Sequence, residues 1–419
     1  MQKIYTSVTD KADFFKGHSP FDLVEKYGSP LYVYNENIIR TRIKELKNMM
    51  SYKNFEIHYS AKANSNIAIL QIAKDEGISI DAMSPGELYA ETLAGFTSDK
   101  IFFVSNNMSK EEMQYVIDRN VLMCVDSICQ LELYGQLNPN SKVAIRFNAA
   151  VGAGHHEKVI TAGKNTKFGI PPTHIDEIKD ILSKYNLKLA GIMQHIGSLF
   201  MDGTPYSNSC RDLLEVAKHF EDLDFIDIGG GLGIPYRKQD GDAPLDLKSL
   251  GDKLDTLMFN FSKEYGKEIS LKIEPGRYIV AESGVLLGTV HAAKESYGTK
   301  YIGTDLGFNV LARPVMYDSH HDIEIYRNSD KKSNSNEVVN IVGNICESGD
   351  IISKNVSLPE IFIGDILGVL DAGAYGHVMS SNYNYRMRPA EILIRENGDI
   401  ALIRKRDTIE EIVQNQILL

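Results

Sequence analysis

Short apolar runs alternate with longer segments of helical periodicity between residues 55 and 273. Eight of these runs predict strands, at residues 55–61, 78–83, 101–104, 121–125, 143–147, 189–194, 223–226 and 270–273. The segments between them carry apolar residues at the three- and four-residue spacing of helices that cover a sheet. Eight strands alternating with helices over this length predict an α/β fold, the (β/α)8 or TIM barrel.

The pattern changes beyond Ser283, where short β-rich runs are separated by polar turns. These runs lie at residues 285–290, 337–342, 366–369, 390–395 and 400–403, and an alternating run at residues 31–34 precedes the barrel. They predict a C-terminal, mostly antiparallel β domain to which residues 31–34 contribute a strand. We expect a barrel at residues 36–282 and a sandwich- or barrel-like β domain at residues 1–35 and 283–419. The polar run 328–336 predicts an exposed hairpin tip.

Composition argues against several classes of protein. The net charge of -11 disfavours nucleic acid and anionic membranes as partners, because both attract basic surfaces. We find no apolar run of about 18 residues, the length of a membrane span, and the first residues lack the apolar core of a signal peptide. A cytoplasmic location is therefore expected. The 4 cysteines indicate neither a disulfide framework nor a metal site.

Glycine-containing turns follow the last two predicted barrel strands. Residues 227–236, Asp-Ile-Gly-Gly-Gly-Leu-Gly-Ile-Pro-Tyr, bring backbone N–H groups together with no side chain between them, which suits a phosphate. Residues 274–277, Glu-Pro-Gly-Arg, add a guanidinium. Barrels often build a phosphate site from the loops after strands 7 and 8. By itself, the triple glycine would also fit a dinucleotide-binding fold or an ordinary tight turn.

Other barrel strands end in polar side chains that suit a carbonyl-bearing cofactor. Lys62 follows the first strand, where an amine can form a Schiff base with pyridoxal phosphate. His195 and Ser198 follow the sixth strand, and a serine there can hold a phosphate oxygen. Glu274 ends the eighth strand, and a carboxylate beside a pyridine nitrogen favours the protonated ring. Singly, a solvated lysine or a core histidine is the more ordinary interpretation, but their common position at the barrel mouth favours a site.

Six motifs in this chain resemble those of the fold type III pyridoxal phosphate decarboxylases, a family with an alanine racemase-like barrel. They are residues 59–64, Tyr-Ser-Ala-Lys-Ala-Asn; 195–198, His-Ile-Gly-Ser; 229–231, Gly-Gly-Gly; 274–277, Glu-Pro-Gly-Arg; 346–350, Cys-Glu-Ser-Gly-Asp; and 371–376, Asp-Ala-Gly-Ala-Tyr-Gly. The resemblance extends from about residue 21 to residue 395. It implies a barrel, a C-terminal β domain and a homodimer in which each active site is completed by the partner subunit.

Within that family, the motifs are most similar to the branch that acts on diaminopimelate. The resemblance implies decarboxylation of meso-2,6-diaminopimelate to L-lysine and carbon dioxide, the last step of lysine biosynthesis. Pyridoxal 5'-phosphate would be the cofactor, with Lys62 as its Schiff-base lysine, His195 stacked on its ring and Glu274 at the ring nitrogen. The residues implied around the phosphate are Ser198, Gly229, Gly230, Gly231, Gly276, Arg277 and Tyr375.

The resemblance also implies how a substrate with an amino-acid group at its far end is held. Arg277, Arg313 and Tyr317 would bind the distal carboxylate, and Tyr375 would adjoin the substrate. Glu347 would bind the distal ammonium, and Cys346 before it would donate the proton. Matched charges reject analogues that leave one charge unpaired. Diamine-forming relatives usually have Asp after that cysteine and lack the arginine pair, so the resemblance at Glu347 and Arg313 implies diaminopimelate rather than ornithine.

The chain departs from the family pattern in three places, at residues 59–62, 84–87 and 318–320. The third, Asp-Ser-His, lies near the implied substrate pocket. This departure leaves open the alternative that the chain is a related pyridoxal phosphate decarboxylase that acts on another acidic or basic amino acid. A second alternative is a homologue that binds the cofactor without catalysis, and release of carbon dioxide would distinguish this alternative from an enzyme.

Overall fold

The structure, a computed structural model, describes residues 2–3, 7–148, 166–328 and 335–419. Its strands are β1 Gln2–Lys3, β2 Leu31–Asn35, β3 Phe55–Ser60, β4 Ser79–Ala82, β5 Ile101–Val104, β6 Leu122–Val125, β7 Lys142–Arg146, β8 Lys188–Met193, β9 Phe225–Asp227, β10 Ser270–Ile273, β11 Gly284–Ser296, β12 Thr299–Thr304, β13 Ile323–Arg327, β14 Asn336–Val342, β15 Ile351–Pro359, β16 Ile366–Val369, β17 Ala390–Ile394 and β18 Ile400–Arg404. Its α-helices are α1 Val8–Lys11, α2 Pro20–Tyr27, α3 Glu36–Lys47, α4 Ile67–Asp75, α5 Pro85–Ala94, α6 Lys110–Ile117, α7 Ile128–Leu137, α8 Ile175–Lys184, α9 Thr204–Ala217, α10 Leu247–Tyr265, α11 Arg277–Val280, α12 Arg313–Tyr317 and α13 Ile409–Val413.

The chain divides into two compact units. One comprises Arg40–Ile234 with Pro244–Ile279, and we call it the barrel unit. The other comprises Met1–Ile39, Pro235–Ala243 and Val280–Leu419, and we call it the sheet unit. The short segment Pro235–Ala243 follows the glycine stretch and belongs to the sheet unit. In sequence, it separates the two segments of the barrel unit.

Strands β3 to β10 close into an eight-stranded parallel barrel, which confirms the predicted fold class. Each strand pairs with its neighbour in chain order, and β10 closes the ring by pairing with β3, with Leu271 opposite Phe55. Among the described residues, an α-helix follows each strand from β3 to β9. The predicted strands 101–104 and 270–273 match β5 and β10 completely, and the others differ by one or two residues at an end.

Polar residues at the strand-to-helix turns fix where the barrel helices begin. The side chains of Asn66, Ser84, Ser109, Ser127 and Asp246 each accept a hydrogen bond from a backbone N–H in the first turn of α4, α5, α6, α7 and α10. The first N–H groups of a helix have no partner within the helix, so such caps stabilise its start. Each helix therefore starts within a few residues of its cap, and the carboxyl ends of the strands open into short loops.

The sheet unit contains one sheet that is mostly antiparallel, as predicted. Its main path is β1-β13-β16-β11-β12-β14-β15, and β2 pairs with β11 antiparallel and with β17 parallel. The prediction that residues 31–34 supply a strand is confirmed, because β2 lies between β11 and β17. Apolar residues of these strands form a buried core that includes Val33, Leu287 and Ile392.

The prediction of a hairpin tip at residues 328–336 is wrong. Strand β13 pairs with β1 and β16, whereas β14 pairs with β12 and β15, so the run joins two strands that are not partners. Residues 329–334 of the run lie outside the described residues. Among the helices that are described, none has the length and apolar content needed to cross a membrane.

Candidate active site

Lys62 lies at the carboxyl end of β3, where the structure pairs it with a buried aspartate. Its Nζ is 3.6 Å from Asp81 Oδ2 and 3.5 Å from Met83 Sδ. The Ser60 hydroxyl donates a hydrogen bond to the same aspartate, at 3.1 Å. Asp81 lies on the adjacent strand β4 and is fully buried, whereas the Lys62 side chain retains 31% of its exposure. The Lys62 amine is thus reachable, and a buried carboxylate holds it in place.

Sequence reasoning did not assign Asp81. The available signal was a carboxylate inside the four-residue strand Ser-Ile-Asp-Ala, where an aspartate is otherwise depleted. Burial raises the pKa of Asp81 above its ordinary value, and the positive charge of Lys62 opposes that shift. The ion pair, the Ser60 hydrogen bond and a backbone hydrogen bond from Ala61 help to make this buried carboxyl tolerable.

Glu274 is the buried carboxyl at the end of β10. It is 2% exposed, and within the described residues its Oε1 has no hydrogen-bond partner. Burial, followed by the charges of Asp227 and Asp81, raises its pKa well above the usual value, while Lys62 and Arg146 act in the opposite direction. A basic ring nitrogen placed against Oε1 would give this carboxyl group the hydrogen-bond partner that it otherwise lacks within the described residues, and the two would share a proton. The predicted partner of a pyridine nitrogen therefore has suitable surroundings.

His195 at the end of β8 carries a neutral imidazole. Burial, and then the charges of Lys62 and Arg146, lower its pKa well below the ordinary value. The Gly230 N–H donates to His195 Nδ1 at 3.1 Å, so Nδ1 accepts and the ring proton lies on Nε2. A neutral, flat ring in a fixed tautomer suits stacking against a cofactor ring, the role implied by the resemblance.

The three consecutive glycines have different surroundings. The Gly229 N–H donates to Asp227 Oδ1 at 2.8 Å, and the Gly230 N–H is used by His195. We find no such partner for the Gly231 N–H in the part of the chain that is described. Gly230 packs against the Glu274 carbonyl so closely that a Cβ would overlap it. The triple glycine follows β9 and contacts the turns after β8 and β10. Of its three backbone N–H groups, the one on Gly231 is the candidate donor to an anion.

Arg277 and Ser198 are the other two candidate anion-binding side chains of the barrel unit. The Arg277 Nη2 group donates to Ser198 Oγ at 3.0 Å, and Arg277 is only 6% exposed. Gly276 lies close to the end of β3, because a Cβ there would come within 2.8 Å of Ala63 Cβ. The turns after β3, β8 and β10 therefore meet, and this arrangement brings the predicted phosphate residues of the barrel unit together.

Arg146 is a second residue that sequence reasoning missed. It ends β7, is 6% exposed and places its guanidinium 4.5 Å from the centre of the Phe168 ring. Its charge counteracts the raised pKa values of Asp126 and Glu274. The signal in the sequence was an arginine at the end of the apolar strand Lys-Val-Ala-Ile-Arg. Together with Lys62, it supplies positive charge to the carboxyl groups of the barrel mouth.

Cys346 and Glu347 lie in a turn of the sheet unit that follows β14, and both are exposed on the chain. The Cys346 N–H donates to Asn384 Oδ1 at 2.8 Å, and the Tyr383 hydroxyl donates to Glu347 Oε1 at 2.7 Å. Asn384 adopts a left-handed backbone conformation, with φ of 53°. Residues 383–384 therefore hold this turn, and because they are nearly 40 positions away, nothing local in the sequence could identify them.

Arg313 and Tyr317 occupy the two ends of the short helix α12, also in the sheet unit. Arg313 is 2% exposed, whereas Tyr317 is partly exposed. Tyr375 lies in the turn after β16, is partly buried and has a left-handed φ of 55°. Non-glycine residues in this conformation are uncommon and often mark functional turns.

The barrel unit thus has a reachable amine, a buried carboxyl group, a neutral imidazole and a candidate anion site at the carboxyl ends of its strands. This combination defines a class, the barrel enzymes that use pyridoxal phosphate. Residues 36–281 match the family model for the pyridoxal-binding domain of pyridoxal-dependent decarboxylases. The chain belongs to this family of enzymes.

Individual relatives are similar over nearly the whole chain. The diaminopimelate decarboxylase of Methanothermobacter thermautotrophicus is 39% identical over 98% of this chain and 96% of its own. The crystal structure of the M. jannaschii diaminopimelate decarboxylase in complex with L-lysine has a TM-score of 0.86 at 35% identity, covering 96% of this chain and 95% of that one. The Helicobacter pylori enzyme, also with L-lysine, has a TM-score of 0.87 at 28% identity, over 94% and 98%.

Proposed function

We propose that this protein decarboxylates meso-2,6-diaminopimelate to L-lysine and carbon dioxide, the last step of lysine biosynthesis. The observation that carries the proposal is the set of groups at the carboxyl ends of the barrel strands, namely Lys62, Glu274 and the anion site at Arg277. Relatives at 34–39% identity over most of the chain bear the name diaminopimelate decarboxylase, and two solved relatives are complexed with L-lysine.

Pyridoxal 5'-phosphate, when bound, provides a ring that accepts the electrons left by the departing carboxylate. Lys62 would be the amine that attaches to the cofactor carbonyl, and Asp81 keeps that amine oriented. Glu274 would hold a proton at the ring nitrogen, and His195 would stack on the ring. The residues that would hold the phosphate are Ser198, Gly229, Gly230, Gly231, Gly276, Arg277 and Tyr375.

Charged groups on both sides of the substrate would give specificity. Arg313, Tyr317 and Arg277 bind the distal carboxylate, and Tyr375 lies beside it. Glu347 binds the distal ammonium, since a carboxylate pairs with the amine of a second amino-acid group. Cys346 then delivers the proton from Sγ to Cα of the substrate after carbon dioxide has left. A substrate without the distal amino-acid group would leave these charges unpaired, which is costly.

A homodimer with shared sites is part of the proposal. Cys346 and Glu347 are exposed on the chain, so their side chains are available to a partner. In this arrangement, the barrel at residues 36–282 binds the cofactor, and the β domain formed by residues 1–35 and 283–419 completes the site of the second subunit. The substrate is a small amino acid, and the chain works in the cytoplasm without nucleic acid or membrane.

The direct test of this function is product formation from a panel of amino acids. We expect the enzyme loaded with pyridoxal phosphate to release carbon dioxide and L-lysine in equal amounts from meso-diaminopimelate. We expect little release from lysine, ornithine, arginine or glutamate, because each lacks one of the two distal charges. Preferred turnover of another member of the panel would replace the proposed substrate, and release from none would indicate a homologue without catalysis.

Replacement of Arg313 by Ala should raise KM for meso-diaminopimelate about 30- to 900-fold, since loss of a buried charged partner costs roughly 2 to 4 kcal/mol. Arg313→Lys should recover only part of this affinity, because an ammonium cannot bind a carboxylate through two parallel hydrogen bonds. Arg395→Ala is the control, as that side chain is 58% exposed. Steady-state kinetics that leave KM unchanged in Arg313→Ala would remove Arg313 from the substrate site.

Cys346→Ala should retain cofactor absorbance while turnover slows by about 100-fold or more, the usual scale for loss of a positioned proton donor. Cys129→Ala is the matched control, since Cys129 is also exposed but lies in the barrel unit. Turnover at the normal rate in Cys346→Ala would exclude the donor role.

Mixing the slowed Cys346→Ala variant with Lys62→Ala tests the shared site. Exchange of subunits should restore part of the activity, because a hybrid dimer contains one site with both Lys62 and Cys346. The approach to a plateau can be followed by carbon dioxide release, with subunit exchange monitored by native mass spectrometry. Exchange without recovered activity would place both residues of each site on one chain.

A further inference from the structure

Arg313 is held by a histidine to which neither the sequence motifs nor the resemblance assigns a role. His321 Nδ1 lies 2.7 Å from the Leu370 carbonyl oxygen, and His321 Nε2 lies 2.7 Å from Arg313 Nη1. A carbonyl oxygen can only accept, so Nδ1 must donate. A guanidinium can only donate, so Nε2 must accept. The two contacts together require a neutral imidazole with its proton on Nδ1.

The same guanidinium is covered by an aromatic ring. Arg313 Cζ lies 4.6 Å from the centre of the Tyr236 ring, within the range of a cation–π contact. Tyr236 meets His321 edge to face, with ring centres 5.3 Å apart at 80°. Arg313, His321 and Tyr236 are 2%, 3% and 6% exposed. Tyr236 and His321 thus form a buried support for Arg313, with one partner at its edge and the other on its face.

The segment that carries Tyr236 is itself anchored within the sheet unit. Lys238 forms ion pairs with Asp371 at 2.5 Å and with Glu282 at 2.9 Å. The Gln239 N–H donates to Asp322 Oδ2 at 2.9 Å. The segment that carries Tyr236 is therefore anchored by residues just before β11 and just before β13 and by the turn after β16.

We propose that His321 is a positioning residue that orients the Arg313 guanidinium toward the distal carboxylate of the substrate. The inference rests on the proposed function, in which Arg313 binds that carboxylate. A guanidinium donates in one plane, so binding a carboxylate through two hydrogen bonds requires that plane to be fixed. The acceptor at His321 Nε2 and the face of Tyr236 fix the plane. The anchor at Leu370 keeps the acceptor in place, because it holds the ring in the required tautomer.

The neighbouring histidine provides a matched control. His320 Nε2 lies 2.8 Å from Asp322 Oδ1, and its side chain is 24% exposed. It precedes His321 in sequence but is bonded to a different partner. A change at His320 alters the same turn, so it separates a general disturbance of the turn from loss of the contact with Arg313.

Three substitutions of His321 distinguish the two hydrogen bonds. His321→Phe removes both and keeps a ring against Tyr236. His321→Asn retains a donor near the Leu370 carbonyl but cannot reach Arg313. His321→Gln places an amide oxygen within reach of Arg313. We expect KM for meso-diaminopimelate to rise about 10- to 100-fold in the Phe and Asn variants, the loss typical of a hydrogen bond to a charged group, with kcat within about 2-fold.

The Gln variant should recover most of the wild-type KM, and His320→Asn should resemble the wild type. Recovery by Gln but not by Asn supports a role through Arg313, because only Gln restores that acceptor. Equal effects of Gln and Phe, a loss confined to kcat, or an equal effect of His320→Asn would overturn the proposal. If the wild type itself releases no carbon dioxide from meso-diaminopimelate, the proposed function fails.

A second measurement does not depend on turnover. In the holoenzyme with 15N-labelled histidine, long-range proton–nitrogen NMR spectra report the tautomer of each ring. We expect a neutral, Nδ1-protonated histidine whose signals vanish in His321→Gln and shift in Arg313→Lys. Signals of His321 that indicate the Nε2-protonated or the charged ring would contradict the geometry, whatever the substrate. This experiment also decides the matter if His321→Phe fails to fold.

Discussion

The chemistry of this protein depends on carboxyl groups that the barrel keeps away from water. Asp81, Asp227 and Glu274 are buried at the carboxyl ends of the barrel strands β4, β9 and β10, and the positive charges of Lys62 and Arg146 only partly offset them. Burying charge without compensation is expensive, so such a cluster persists where a further cation or a bound proton balances it. A protonated ring nitrogen at Glu274 would provide that balance. The barrel mouth is thus electrostatically prepared for the cofactor of its family.

In the sheet unit, neighbouring residues hold the candidate functional groups in place. Arg313 and the turn at Cys346 are each held by residues that lie close in space, His321 with Tyr236 in one case and residues 383–384 in the other. Side chains that must meet a substrate are held within a few tenths of an ångström by such neighbours. Substitutions in these supports should therefore affect affinity or proton delivery, although the supports carry none of the chemistry.

The sequence predicted the barrel because each strand is a buried apolar run bounded by polar caps, and these are local signals. It also placed Lys62, His195 and Glu274 at the strand ends, since a parallel barrel brings all those ends to one side. It missed the two-residue β1 and also β12, β13 and β15. Strands β12 and β15 contain lysine and polar residues at positions that are partly or fully exposed, which weakens the apolar signal. Likewise, the contacts of Asp81, Arg146 and His321 arise only from packing between distant segments. The false hairpin at residues 328–336 has the same cause, because a polar run carries no information on strand pairing.

We expect Lys62 to be the amine to which pyridoxal phosphate is attached. Borohydride reduction of the enzyme loaded with pyridoxal phosphate, followed by proteolysis and mass spectrometry, identifies the lysine that carries the cofactor. Lys62→Arg is the control, because arginine keeps a cation beside Asp81 but cannot be attached. We expect the reduced cofactor on the peptide that contains Lys62, and none in the Arg variant. A cofactor found on another lysine, with Lys62 unmodified, would contradict the claim.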